Sequence, residues 1–461
     1  MNSADHGAIA LPPKVRTPKE RRDEVVARRR ERIGNYFLFA VVPIFFIPIE
    51  NLILVPLGPA LFSVAEIAFL GIFVAALWSG LAVGWNRRFA IVLVLFFLAI
   101  AAKYLYNVGY GLEFDRSRAI FSLRIYLPLY TALALLAVQI RPHADLLQKV
   151  VISAGIANSL IAIVVYFFYP DILIRAMPGM QNIIEAGRVP NQNLFIFFVL
   201  VLFLMRGKNQ GVWRTLIFLS LFLAAIANLL SMNRTVAIGA MLLVGGVILA
   251  PVRAVPLGIR MRQLAVTLAV GGVVYVTIMS LFASQGHMRD LFVDRFKGAE
   301  DEFTISTIVD EGLFEGRLPI YEGYFQLVRQ NPLLGPQLGT SYKVYGTMET
   351  FTSDVSVVSI FFTFGLPGLF LLSLCLYFLV RLTLQNMKGD GVRASMTSTY
   401  RIMIAVIVLM SFNLDLLTRD NALVAIALIG LCRWNQEQST GKRQTRGPGI
   451  ANIDDHGRRA R

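Results

Sequence analysis

Leu229-Leu230-Ser231-Met232-Asn233-Arg234-Thr235 lies between two apolar runs, 215–230 and 235–250. Each run is long enough to enter a bilayer. A guanidinium at their junction is costly unless it is paired or touches water, so Arg234 marks a candidate functional position. The alternative for the same residue is a snorkelling anchor at a span end.

The runs around Arg234 are typical of the chain. Its 461 residues are 56% hydrophobic and only 16% charged, against about a quarter charged in soluble proteins. The mean hydropathy is +0.62. The apolar runs predict about twelve transmembrane helices, over 36–55, 60–81, 89–107, 120–140, 150–169, 193–206, 214–231, 234–251, 263–282, 355–380, 399–417 and 420–433. The expected fold is therefore an all-α polytopic integral membrane protein.

The net charge of +15 follows this topology and gives no reason to expect nucleic acid. Residues 1–34 form a polar, basic tail without the apolar core of a signal peptide, so it is expected to stay cytoplasmic. Alternate linkers then carry Arg87 and Arg88, Arg141 and Lys149, Arg206, Lys208 and Arg214, Arg253, Arg260 and Arg262, and Arg381, Lys388, Arg393 and Arg401. This is the positive-inside pattern, and an even span count returns the tail 434–461 to the cytoplasm. The basic face would also attract anionic membrane lipids. Two cysteines and four scattered histidines offer neither a disulfide framework nor a metal cluster.

Transmembrane helices are expected over 35–282 and 355–433, separated by a large outer loop, 283–354, which is net acidic. Within it Leu318, Tyr321, Phe325 and Val328 recur at helical spacing, predicting an amphipathic helix over 318–330 that Asn331-Pro332 ends. Arg188 in the outer segment 170–192, Arg234, Arg317 and Asp354 all fall on the outer side in this topology. The planar donor fork of arginine suits phosphate oxygens, and several arginines at one membrane face suit a lipid-linked diphosphate. Asp354 is a candidate general base for a sugar hydroxyl. The plainer readings are surface pairs of Arg188 and Arg317 with Glu185 and Glu315, and a helix cap for Asp354. Glu66, Lys103 and Arg124 interrupt apolar runs; each is costly facing lipid and is expected to face the bundle or water, with snorkelling the alternative for Lys103 and Arg124 near outer span ends. No nucleotide-phosphate loop, paired metal carboxylates or nucleophile constellation is present in the sequence.

The order of these parts resembles the O-antigen ligase and polymerase superfamily of bacterial envelope enzymes. Ser231-Met232-Asn233-Arg234 resembles its Ser-x-x-Arg element. Arg317 with Asn331-Pro332-Leu333-Leu334-Gly335 resembles its Arg…Pro-Leu-Leu-Gly element. Gly187-Arg188 and Asn191-Gln192-Asn193 resemble its earlier outer loop. Gly365-Leu366-Pro367-Gly368 fits the glycine half of the ligase pattern, but Asp354-Val355 stands where that pattern has histidine. The departure favours a polymerase-like member.

The resemblance implies a GT-C-like inner-membrane glycosyltransferase with a partly helical periplasmic loop. Its substrates would be undecaprenyl-diphosphate-linked glycans, as donor and acceptor. It would join repeat units into an exopolysaccharide or lipopolysaccharide component, without metal or other cofactor, alongside a chain-length regulator and a flippase. Arg188, Arg234, Arg317 and Asn193 would bind the diphosphate and glycan, and Asp354 would act as base. The alternatives are a ligase transferring a finished glycan to a lipid or protein acceptor and, from another class, a flippase or secondary transporter. The absence of two related halves in the sequence speaks against transport.

Overall fold

The structure is a computed structural model. It describes residues 17–46, 54–57, 60–109, 124, 126–168, 193–205, 211–230, 234–249, 331–335, 342–345, 348–350, 356–387, 392–411, 422–432 and 434, and isolated positions at 269, 272, 273, 276, 280, 322, 323, 325–327 and 329.

The first helix, α1 (Pro18–Phe46), crosses the expected boundary between tail and first span. Thr17 and Glu20 start it as a capping box: the Glu20 amide donates to Thr17 Oγ1 at 3.2 Å, and the Thr17 amide donates to Glu20 Oε2 at 2.8 Å. A hairpin follows, β1 (Leu54–Leu57) paired antiparallel with β2 (Ala60–Ser63). It replaces the ends of two expected spans, because Pro56, Gly58 and Pro59 break helical propagation. A second hairpin joins β3 (Tyr342–Tyr345) to β4 (Met348–Thr350) in the long loop. These short ladders are the departures from an all-helical chain among the described residues.

The remaining helices fall where hydropathy places spans. They are α2 (Val64–Val83), α3 (Arg87–Gly109), α4 (Leu127–Val138), α5 (Ala144–Phe168), α6 (Asn193–Met205), α7 (Val212–Leu230), α8 (Arg234–Leu249), α9 (Ser356–Asn386), α10 (Val392–Met410) and α11 (Ala422–Leu431). Among the described residues four stretches are long and apolar enough to cross a membrane: Glu66–Val83, Arg87–Gly109, Ala144–Val164 and Val357–Asn386. Other apolar helices are shorter, and the expected span 263–282 lies largely outside the described residues. The protein is thus membrane-embedded and predominantly helical.

Helix α4 is the central post. It contracts from the expected 120–140 to twelve residues, all buried, because Pro128 fixes its start and Gln139 turns left-handed (φ 51°) at its end. Helices α2, α3 and α11 surround it. Thr131 Oγ1 donates to the Phe69 carbonyl at 3.2 Å, and the Asn86 amide donates to the Ala137 carbonyl at 2.6 Å. At roughly 18 Å such a helix is shorter than the hydrocarbon layer, so its neighbours shield its ends.

Antiparallel packing gives the bundle two distinct ends. At one, Arg88 lies over the Phe378 ring at 5.7 Å, Asn386 Nδ2 donates to the Gly430 carbonyl at 2.7 Å, and Trp434 meets Phe203. Of the basic linker residues, Arg87, Arg88, Arg141 and Arg381 lie at this end among the described residues. Helix α1 docks here, with Arg30 Nη2 on the Val83 carbonyl at 2.9 Å and the Arg141 amide on the Arg30 carbonyl at 3.2 Å. Partial burial pulls the Arg30 guanidinium pKa below its ordinary value. A Cβ on Gly34 would fall 2.7 Å from the Pro142 nitrogen, so only glycine permits this approach. Helices α8 and α10 run antiparallel: Gly239 sits under the Met410 sulfur, and a Cβ on Gly246 would fall 2.8 Å from Ile402 Cγ2. Two glycines on one face bring the backbones close, as small residues do in membranes. The start of α8 therefore shares the opposite end of the bundle with Met410.

Candidate active site

At that opposite end α9 is broken. Gly365 adopts φ 65°, ψ −161°, and Pro367 follows it. Pro367 lacks an N–H, so the Thr363 carbonyl loses its helical donor. The first half-helix therefore ends inside the bundle, with carbonyls that need other partners. Lys103 of α3, only 2% exposed, donates through Nζ to the Phe362 carbonyl. Tyr126, fully buried, has its hydroxyl 2.8 Å from the Ser359 carbonyl, 2.7 Å from Ser359 Oγ and 2.8 Å from Thr363 Oγ1. Its ring and that of Phe96 pack edge-on against Phe364.

The turn Asn331–Gly335 sits on this break. The Gly335 amide donates to the Asn331 carbonyl at 2.9 Å, and Asn331 Oδ1 accepts from the Leu334 amide at 3.2 Å. Gly335 (φ 71°) lies against the Phe361 and Phe362 carbonyls, and Gly365 lies against the Leu333 carbonyl. A side chain at either position would enter backbone. The two segments 331–335 and 365–368, far apart in sequence, are thus one packed unit. Asn331 Nδ2 also approaches the Tyr106 hydroxyl at 3.5 Å. Helical backbone at 322, 323, 325–327 and 329 agrees with the expected loop helix. Of its expected apolar stripe, Phe325 is 62% exposed.

The remaining polar groups at this end are charged or amide. Arg124 Nε lies 3.1 Å from Glu66 Oε1, with both side chains about one-fifth exposed or less (16% and 20%). Asn107 stands one turn beyond Lys103 and is 1% exposed; neither of its amide atoms has a hydrogen-bond partner. Of the two readings for these charges, the bundle-facing one holds for Lys103, which turns inward onto the α9 break, and Arg124 pairs with Glu66 rather than snorkelling.

Arg234 is the first residue of α8 and Asn193 the first of α6. The two helices pack together. Since α6 reaches the basic end at Phe203, both residues open their helices at the opposite end, where N-terminal amides favour an anion. Arg188, Arg317 and Asp354 lie outside the described residues, as do Ser231–Asn233. Helix α9 begins at Ser356, two residues after Asp354.

Sequence reasoning missed Asn107 and Tyr126. The spacing Lys103-x-x-x-Asn107 places both residues on one helical face and was a usable signal; nothing in the sequence singles out Tyr126. No protein-family model and no curated protein matches the chain.

Proposed function

We propose that the protein is a membrane glycosyltransferase that polymerises undecaprenyl-diphosphate-linked repeat units into a surface polysaccharide. Its site would lie at the end opposite the basic linkers, which the positive-inside rule assigns to the periplasmic face of the bacterial inner membrane. The observation that carries the reading is the seating of the Asn331–Gly335 turn on the Gly365 break. Two segments that resemble superfamily elements, 331–335 and 365–368, meet there, at the end where Arg234 and Asn193 open their helices.

In this reading an acceptor hydroxyl attacks the anomeric carbon, the bond from that carbon to the diphosphate oxygen breaks, and configuration inverts. Asp354 takes the hydroxyl proton. Arg188, Arg234 and Arg317 hold the departing diphosphate and offset its developing charge. The test is the glycan of a deletion strain complemented with Arg234→Ala. Loss of polymer, with the variant still in the membrane and single repeat units on the lipid carrier, is the expected outcome. Normal polymer would remove the proposal, and finished polymer stranded on its carrier would point to a ligase.

A second reading, transport, draws on the broken helix α9, since discontinuous helices form the substrate sites of many carriers. It predicts repeat units trapped on the inner leaflet in the deletion strain.

A further inference from the structure

We infer that Lys103 and Asn107 form an intramembrane subsite for a phosphate-bearing lipid headgroup. The inference rests on the glycosyltransferase reading only for the identity of the lipid; the anion site itself stands on the structure. Lys103 is almost fully buried, and its ammonium donates to a single carbonyl, that of Phe362. Among the described residues its remaining protons have no partner and it forms no salt bridge. The carboxylate of Glu66 is engaged by Arg124. A buried cation of this kind lacks the anion that would offset its desolvation.

Asn107 supplies the second, independent observation. Both its amide atoms are buried without partners, and most buried polar side chains are satisfied. As i and i+4 on α3 the two residues point to the same side, within reach of one small group. The unused donors of Lys103 and Asn107 suit phosphate oxygens, and Asn107 Oδ1 is left to accept from a hydroxyl beside the phosphate. A sugar phosphate ester presents both. The opposite face of α3 exposes Leu98, Leu105 and Val108, which sets the buried pair at the depth of the apolar layer. The Asn331–Gly335 turn covers the approach along α9, with Asn331 near Tyr106 and Leu333 66% exposed at its rim.

The test uses the full-length protein in phosphatidylcholine nanodiscs, titrated with farnesyl diphosphate, phosphatidylglycerol and free pyrophosphate. Farnesyl diphosphate should bind the wild type. Lys103→Met should weaken that binding at least about tenfold, the value of a charge-assisted hydrogen bond, and Lys103→Arg should keep most of it. Asn107→Asp, which sets a negative charge beside the phosphate, should weaken it similarly, and it decides the matter if Lys103→Met does not fold. Unchanged affinity in a folded Lys103→Met or Asn107→Asp variant overturns the subsite, as does a wild type that does not bind. Pyrophosphate binding as tight as that of farnesyl diphosphate overturns the lipid-borne ligand, and phosphatidylglycerol binding more tightly overturns the lipid diphosphate. Loss of polymer in Arg234→Ala with Lys103-independent binding would keep the enzyme reading and reject this subsite.

Discussion

Gly365 faces the carbonyl of Leu333 so closely that a Cβ at position 365 would occupy the space of that oxygen. The contact fixes where the long loop rejoins the membrane and where α9 bends. Its φ of 65° is a conformation that side chains other than glycine rarely adopt. Gly365→Ala therefore combines backbone strain with a steric conflict, and should destabilise the protein by at least about 2 kcal/mol. Thermal unfolding in detergent is the check. A variant as stable as the wild type would mean that the turn does not sit on the break.

The contact also shows what was legible in the sequence. Both partners stand in glycine-proline segments, 331–335 and 365–368, that could be singled out one at a time, but a chain read alone does not say that they touch. Hydropathy placed most helices to within a few residues, because runs such as 89–102 and 194–205 are uniformly apolar. It overextended α4, since buried and lipid-facing helices read alike and only Pro128 marks the true start. It also began the first helix too late: Thr17-x-x-Glu20 is a capping-box signature, and the basic run after it is helical. Charges within spans were correctly flagged as costly, yet snorkelling and inward pairing have the same sequence appearance. Burial at Lys103 decides between them.

Glu66 and Arg124 join the start of α2 to the approach to α4. Substituting one partner should be more harmful than substituting both. Glu66→Gln or Arg124→Gln alone should each cost about 1–3 kcal/mol, while the double variant should cost clearly less than their sum, with a coupling of about 1 kcal/mol. A double-mutant cycle on unfolding in mild detergent measures this. Strict additivity would reduce the pair to a surface contact.

Tyr126 ties α4 to the first half of α9 through Ser359 and Thr363. Tyr126→Phe keeps the ring against Phe364 and removes only the hydroxyl. Ser359 and Thr363 can turn back to their own helix carbonyls, so the loss should be modest, about 0.5–1.5 kcal/mol. Tyr126→Ala also empties the ring volume and should cost about 3 kcal/mol or more. Similar stabilities for the two variants would show that the ring contributes little to the packing.

Asp354 stands two residues before the start of α9, which makes cap and base compatible roles. They are separable because serine and asparagine cap as well as aspartate does, yet neither accepts a proton at neutral pH. Asp354→Ser and Asp354→Asn should therefore keep the thermal stability of the wild type and still lose most polymer, by about a hundredfold for a general base. Asp354→Ala should lose both polymer and about 1 kcal/mol of stability. Polymer yield and unfolding temperature are measured on the same membranes. Full polymer from the serine and asparagine variants, with a deficit only in the alanine variant, would leave Asp354 as a cap and require the acceptor's proton to go to another group.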